Sequence, residues 1–162
     1  MKKLGVFVDV QNIYYTTRDA YGRSFNYRSF WDHLQQLGEV KVAHAYAINS
    51  QDIQQKRFQR SLSHIGFDVK LKPFIQRSDG SAKCDWDVGI AIDIMESAQD
   101  LDLMLLLSGD GDFAMLLEHI MNKHQIQTEV IGVPELTANA LAQACTTFTP
   151  IRPEWLLSAN TL

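Results

Sequence analysis

Apolar residues alternate along the chain between two kinds of stretch. Residues 4–10, 40–48, 68–75, 103–108 and 128–133 form short runs rich in Val, Ile, Leu and Phe. Several of these runs are apolar on successive positions, which suits strands covered on both faces. Helix-like stretches lie between them, at 12–21, 27–37, 51–65, 87–98, 113–124 and 138–144. Gly22, Gly38 and Gly66 follow helical patterns as stops, and Asp87 and Asp112 stand where N-caps belong. Ser78-Asp79-Gly80-Ser81 reads as a loop. Strand–helix alternation predicts an α/β fold, a three-layer α/β/α arrangement around a central, mostly parallel sheet with right-handed crossovers. In such folds ligands bind beyond the carboxyl ends of the strands.

The chain has 162 residues, 46% hydrophobic and 21% charged, which is enough for one domain with a proper core. The expected unit is 1–162, with the motif-bearing part at 4–133 and a closing segment at 134–162 that carries Pro150, Pro153 and Trp155. No apolar run approaches the roughly 20 residues needed to span a bilayer. The start, MKKLGVFVDVQN, resembles a signal peptide superficially, but its apolar run stops at Asp9 and reads as a strand. Cys84 and Cys145 form no CxxC pair, so a reduced, cytoplasmic setting is expected. His119 and His124 would stand about 140° apart on a helix and make no zinc pair. Assembly into a homo-oligomer is left open by the sequence.

Net charge is −4, but its distribution changes the picture. Residues 41–83 hold eight Lys or Arg and three Asp, a balance of +5, whereas 84–121 hold nine Asp or Glu and no Lys or Arg. A basic region beside an acidic one fits a metal site flanked by a polyanion-binding surface, and it also fits plain solvated faces.

The acidic residues carry the candidate chemistry. GVFVDVQN ends an apolar run with Asp9 and then Asn12, and LLLSGDGDF ends another with Asp110 and Asp112. If the two strands are neighbours, their carboxylates meet at one sheet edge. Two carboxylates about 4 Å apart repel by about 4 kcal/mol at an effective dielectric of 20. Hard divalent cations such as Mg²⁺ or Mn²⁺ compensate that repulsion with oxygen ligands. Gly109 and Gly111 are expected to let the backbone bend sharply between strand and helix. KCDWDVGIAIDIM adds Asp87 at the start of an apolar helix and Asp93 about 240° further round it. Asp93 sits among apolar residues and needs a partner, a lysine or a metal. An aspartyl-phosphatase motif, a receiver-domain set and an EF-hand loop do not fit. A toprim-like site matches Asp110 and Asp112 but wants Glu where Asp9 stands.

FVDVQNIYY, K-CDW-DVGIAIDIM and LLLSGDGDFAMLLE, in that order over residues 7–118, resemble the NYN domain family (LabA-like, DUF88), a branch of the PIN-like nuclease superfamily. Val10 and Gly111 depart modestly from the family pattern, and Cys84-Asp85-Trp86 lengthen the spacing from Lys83 to Asp87. The resemblance implies a PIN-like fold and a ribonuclease site that holds Mg²⁺ or Mn²⁺ on Asp9, Asp87, Asp110 and Asp112, with Asn12 beside it. Asp93, Ser108 and Lys83 are secondary candidates. Arg57, Arg60 and His64 share a face of the 51–65 helix, and with Lys56 they are candidates for contact with RNA backbone. Tyr14, Tyr15, Tyr21 and Tyr27 are candidate stacking surfaces, with core packing as the commoner role. The rival class is a non-catalytic PIN-like module that binds nucleic acid or a protein.

Overall fold

A computed structural model describes residues 1–72 and 85–158 in full, with the backbone alone of the two short strands between them. The strands are β1 (Lys3–Asp9), β2 (Glu39–Ile48), β3 (Asp68–Lys72), β4 (Ile75–Gln76), β5 (Ala82–Lys83), β6 (Leu103–Leu107), β7 (Gln127–Gly132) and β8 (Thr147–Pro150). The helices are α1 (Val10–Tyr21), α2 (Tyr27–Leu37), α3 (Ile53–Ile65), α4 (Asp87–Ser97), α5 (Ala114–His124) and α6 (Asn139–Ala144). Six strands form one sheet in the order β3-β2-β1-β6-β7-β8, every pair parallel, while β4 and β5 make a separate antiparallel ribbon. Among the described residues no helix is long and apolar enough to cross a membrane.

Side-chain alternation along the strands sorts the core into two layers. Leu4, Val6 and Val8 of β1 and Leu103, Leu105 and Leu107 of β6 face Ile13, Phe30, Leu34 and Leu62 of α1 to α3. Phe7, Met104 and Leu106 face the other way, onto Ile90, Ile94, Leu117 and Ile120 of α4 and α5. All five residues of β6 are buried, which is why LMLLL is apolar throughout. The predicted stops hold. Gly22 ends α1 in the left-handed conformation, at φ 63°, and Gly38 and Gly66 follow α2 and α3. Asn26 caps α2 by accepting from Ser29 N–H at 3.1 Å, and Asp52 caps α3 by accepting from Gln54 N–H at 2.8 Å.

Several details differ from the sequence expectation. α1 starts at Val10, directly after the strand, rather than at Asn12. β3 ends at Lys72, and the 78–81 loop lies outside the described residues. β8 had no strand signature, because its four residues Thr-Phe-Thr-Pro are short and end in proline; as an edge strand it needs to pair on one side only. α4 looked too apolar to be solvated, yet Val88, Ile92 and Met95 are 73%, 51% and 48% exposed. Beyond β8, Trp155 is buried against Phe30, edge to face with centroids 5.1 Å apart, and its carbonyl accepts from Asn26 N–H at 2.6 Å.

Candidate metal centre

The chain runs from β1 outward through β2 to β3, then returns to place β6 on the other side of β1. That reversal opens a crevice at the carboxyl ends of β1 and β6. Val8 pairs with Leu107, so Asp9 and Ser108, the next residue on each strand, emerge side by side. Ser108 Oγ donates to Asp9 Oδ2 at 3.0 Å and accepts from Asp110 N–H at 3.2 Å. Asn12, in the first turn of α1, accepts from Gly109 N–H through Oδ1 at 2.9 Å. Ser108 and Asn12 thereby tie the β6 turn to β1 and α1.

The capping positions differ from those expected of Asp112 and Asp87. Asp110, not Asp112, is the cap: its Oδ1 accepts from Asp112 N–H at 2.9 Å and opens a 3-10 turn at Gly111–Phe113. Asp87 is the first residue of α4, with Trp86 at the capping position, and its N–H donates to Asp85 Oδ1 at 3.3 Å. Two helical segments thus begin at the crevice, and their positive ends favour negative charge there. Carboxylate oxygens of Asp87, Asp110 and Asp112 all lie within 4.8 Å of one another. Asp9 stands beside this trio rather than within it, close enough for its charge to act on Asp87 and to feel that of Asp110.

Crowding shows in the proton affinities. Burial, above all, pushes Asp9 up to about 6; the charges of Asp110 and Asp85 add to it, and the Ser108 and Asn12 hydrogen bonds oppose it. Asp87 is pushed up to about 7, by burial first, then by its hydrogen bond to Asp110, then by the charges of Asp110, Asp85 and Asp9. Among the described residues the ion pairs lie elsewhere, Lys41 with Glu39 and Lys70 with Asp93, while burial lowers the pKa of His44 beside Asp68. Among the described residues no cationic side chain is paired to this all-oxygen set, which fits a hard divalent cation such as Mg²⁺ or Mn²⁺.

The remaining candidates divide. Asp93 is not part of the trio and is already partnered, its Oδ2 accepting from the Tyr46 hydroxyl at 2.8 Å and lying 3.4 Å from Lys70 Nζ, which ties α4 to β2 and β3. The side chain of Lys83 lies outside the described residues. Lys56, Arg57, Arg60 and His64 are exposed on α3, and Lys56 and Arg60 line a hollow with Asn49 and Gln59. Asp85 carries a role the sequence reading missed, since its charge raises both Asp9 and Asp87. The D-x-D spacing of Asp85 and Asp87, the same as that of Asp110 and Asp112, was the available signal.

Gly109 and Gly111 are needed for proximity rather than for an unusual φ. Among the described residues the glycines at positive φ are Gly22 and Gly66. A Cβ on Gly109 would stand 2.5 Å from the Leu136 carbonyl oxygen, next to the point where Ala138 N–H donates to Gly109 O at 3.0 Å. Gly109→Ala is therefore expected to push the 136–138 segment off the turn and to cost about 1–3 kcal/mol, read as a lower melting temperature.

These features define a class, a parallel α/β fold with a carboxylate cluster at its switch point. The chain belongs to the NYN domain family, whose model matches residues 3–152, and thereby to the PIN-like nuclease superfamily. It is similar to the Low amplitude and bright protein LabA of Synechococcus elongatus, 27% identical over 150 residues that cover 88% of this chain and 80% of that protein. It is also similar to a crystal structure of a protein of unknown function from Vibrio parahaemolyticus, 48% identical, with a TM-score of 0.91 over 96% of each chain.

Proposed function

We propose that the protein is a metal-dependent ribonuclease that hydrolyses RNA phosphodiester bonds at a site made by Asp9, Asp87, Asp110 and Asp112. The observation that carries the reading is the convergence of the Asp87, Asp110 and Asp112 oxygens within 4.8 Å, with Asp9 braced alongside. When bound, Mg²⁺ or Mn²⁺ would supply a lowered pKa for water and positive charge for the leaving oxygen. The four aspartates are the residues to hold it. Ser108 fixes the rotamer of Asp9, and Asn12 holds Gly109 so that Asp110 and Asp112 are presented from a rigid turn. In this reading the exposed cations of α3, Lys56, Arg57 and Arg60, contact the RNA backbone. RNA is the partner in this reading and the cytoplasm its setting.

The test is incubation of the purified protein with labelled RNA in Mn²⁺, Mg²⁺ or EDTA, alongside Asp9→Asn and Asp110→Asn. Cleavage that needs the metal and disappears in both variants is the expected result. Cleavage surviving both substitutions would belong to a contaminant. Turnover of phenyl phosphates without RNA cleavage would make the site a phosphatase. Metal-independent RNA binding without turnover would make the protein a binding module.

A further inference from the structure

We propose that a cavity between α1 and α3 seats one unpaired nucleobase of a single-stranded RNA, beside the phosphodiester addressed by the carboxylates. The inference rests on the ribonuclease reading above and names its substrate class. The cavity measures about 630 Å³, in the range of small-ligand sites. It opens over the carboxyl ends of β1 and β2, between α1 and α3, with Val10, Ile13, Ala47, Ile48 and Phe58 in its wall. Its position relative to the metal centre is fixed by the chain itself. Val10 and Gln11, both in the wall, directly follow Asp9, and the buried phenol of Tyr27, also in the wall, feels the charge of Asp9.

The wall chemistry is that of a base site. No Asp, Glu, Lys, Arg or His lines the cavity among the described residues. Aromatic rings come from Tyr14, Tyr15, Phe25, Tyr27 and Phe58, and Tyr14 and Tyr15 are 44% and 56% exposed. Carboxamides come from Gln11, Asn49, Gln51, Gln55 and Gln59. Gln59 is held in place by its Nε2, which donates to the Ile48 carbonyl at 3.0 Å. Flat rings stack on bases of any identity, and carboxamides pair with the donor and acceptor edges of an unstacked base.

The surroundings select a nucleotide over an apolar ligand. On one side stand the carboxylates that would hold the metal ion. On the other, the cavity shares Asn49 and Gln59 with the hollow that carries Lys56 and Arg60. A strand crossing this surface meets a cation-holding site, a neutral ring- and amide-lined cavity, and then basic side chains. That order matches phosphate, base, phosphate along single-stranded RNA. A paired base has its edge occupied and its faces stacked, so the occupant is unpaired.

The test uses the full chain with Asp110→Asn, which removes cleavage, and short labelled oligoribonucleotides bearing one base among abasic positions. Affinity is expected to depend on the identity of that base and to fall by about tenfold when it too is made abasic. Tyr15→Ala and Gln55→Leu, both at exposed side chains, are expected to flatten that dependence while the melting temperature is retained. Equal affinity for the fully abasic strand, or base dependence untouched by both substitutions, would overturn the assignment, as would an apolar dye that fills the cavity and is not displaced by RNA. Mapping cuts by the wild-type protein separates the two readings. Cleavage with no base preference next to the cut overturns the cavity assignment alone. Base-dependent binding without any cleavage overturns the ribonuclease reading alone.

Discussion

Asp9→Asn is expected to unfold at a higher temperature than the wild type in EDTA at neutral pH, and to lose metal-dependent RNA cleavage by about 100-fold or more. The two effects share one cause. Asp9 carries its charge in a buried place beside Asp110 and Asp85, so its folded-state pKa lies at about 6, against 3.8 ordinarily. Below pH ~4 the carboxyl is protonated in both the folded and the unfolded chain, and it contributes nothing to the pH dependence. As pH rises toward 6 the unfolded chain ionises freely while the folded chain resists, so stability falls. Above about pH 6 the full penalty applies, on the order of 3 kcal/mol for a shift of this size. Asn mimics the protonated side chain and still accepts from Ser108, so the stability gap between variant and wild type should open between pH 4 and pH 6 and then level off. Thermal melts across that range check it, and a variant less stable than wild type at pH 7.5 in EDTA would contradict the electrostatic account.

Trp155→Ala is expected to cost about 3–5 kcal/mol, the range for emptying an aromatic site in a core. That is a large share of the roughly 5–15 kcal/mol that holds an ordinary domain together. Trp155 is 1% exposed, packs on Phe30 of α2, and anchors a segment tied down by two backbone hydrogen bonds and one from a side chain. Asn26 N–H donates to Trp155 O at 2.6 Å, Leu157 N–H donates to Ser24 O at 2.8 Å, and Arg23 Nε donates to Leu157 O at 2.6 Å. Losing the indole leaves a void under α2 and frees Leu157, which lines the large cavity. Chemical denaturation should show the lower midpoint. A loss under about 1 kcal/mol would mean that the closing segment rests on the fold without supporting it.

Much of this was legible in the amino-acid sequence because the signals were local. The LMLLL run announced a strand covered on both faces, and Gly22, Gly38 and Gly66 marked helix ends. Asp9 and Asp110 could be placed at one sheet edge once their strands were taken as neighbours, and the pairing of Val8 with Leu107 makes them so. What was not legible depends on packing between distant segments. Asp93 is satisfied by Tyr46 and Lys70, 47 residues away for the tyrosine, and no spacing rule foretells that. Gly109 looked like a hinge but serves a contact with Leu136, a residue from a separate turn. β8 escaped because an edge strand tolerates a proline and needs little hydrophobic pattern. The exposed Val88, Ile92 and Met95 face of α4 has no reading in sequence periodicity, since the helix is apolar nearly all round.

The most direct test of the central claim is titration calorimetry of the EDTA-stripped protein with Mn²⁺ at pH 5.5 and pH 8, in buffers of differing ionisation enthalpy. Asp9 and Asp87, raised to about 6 and about 7, hold protons at the lower pH that a divalent cation must displace. The account predicts saturable Mn²⁺ uptake that is tighter at pH 8, with protons released at pH 5.5, and loss of that uptake in Asp110→Asn. No uptake at pH 8, or equal uptake by wild type and variant, would contradict it.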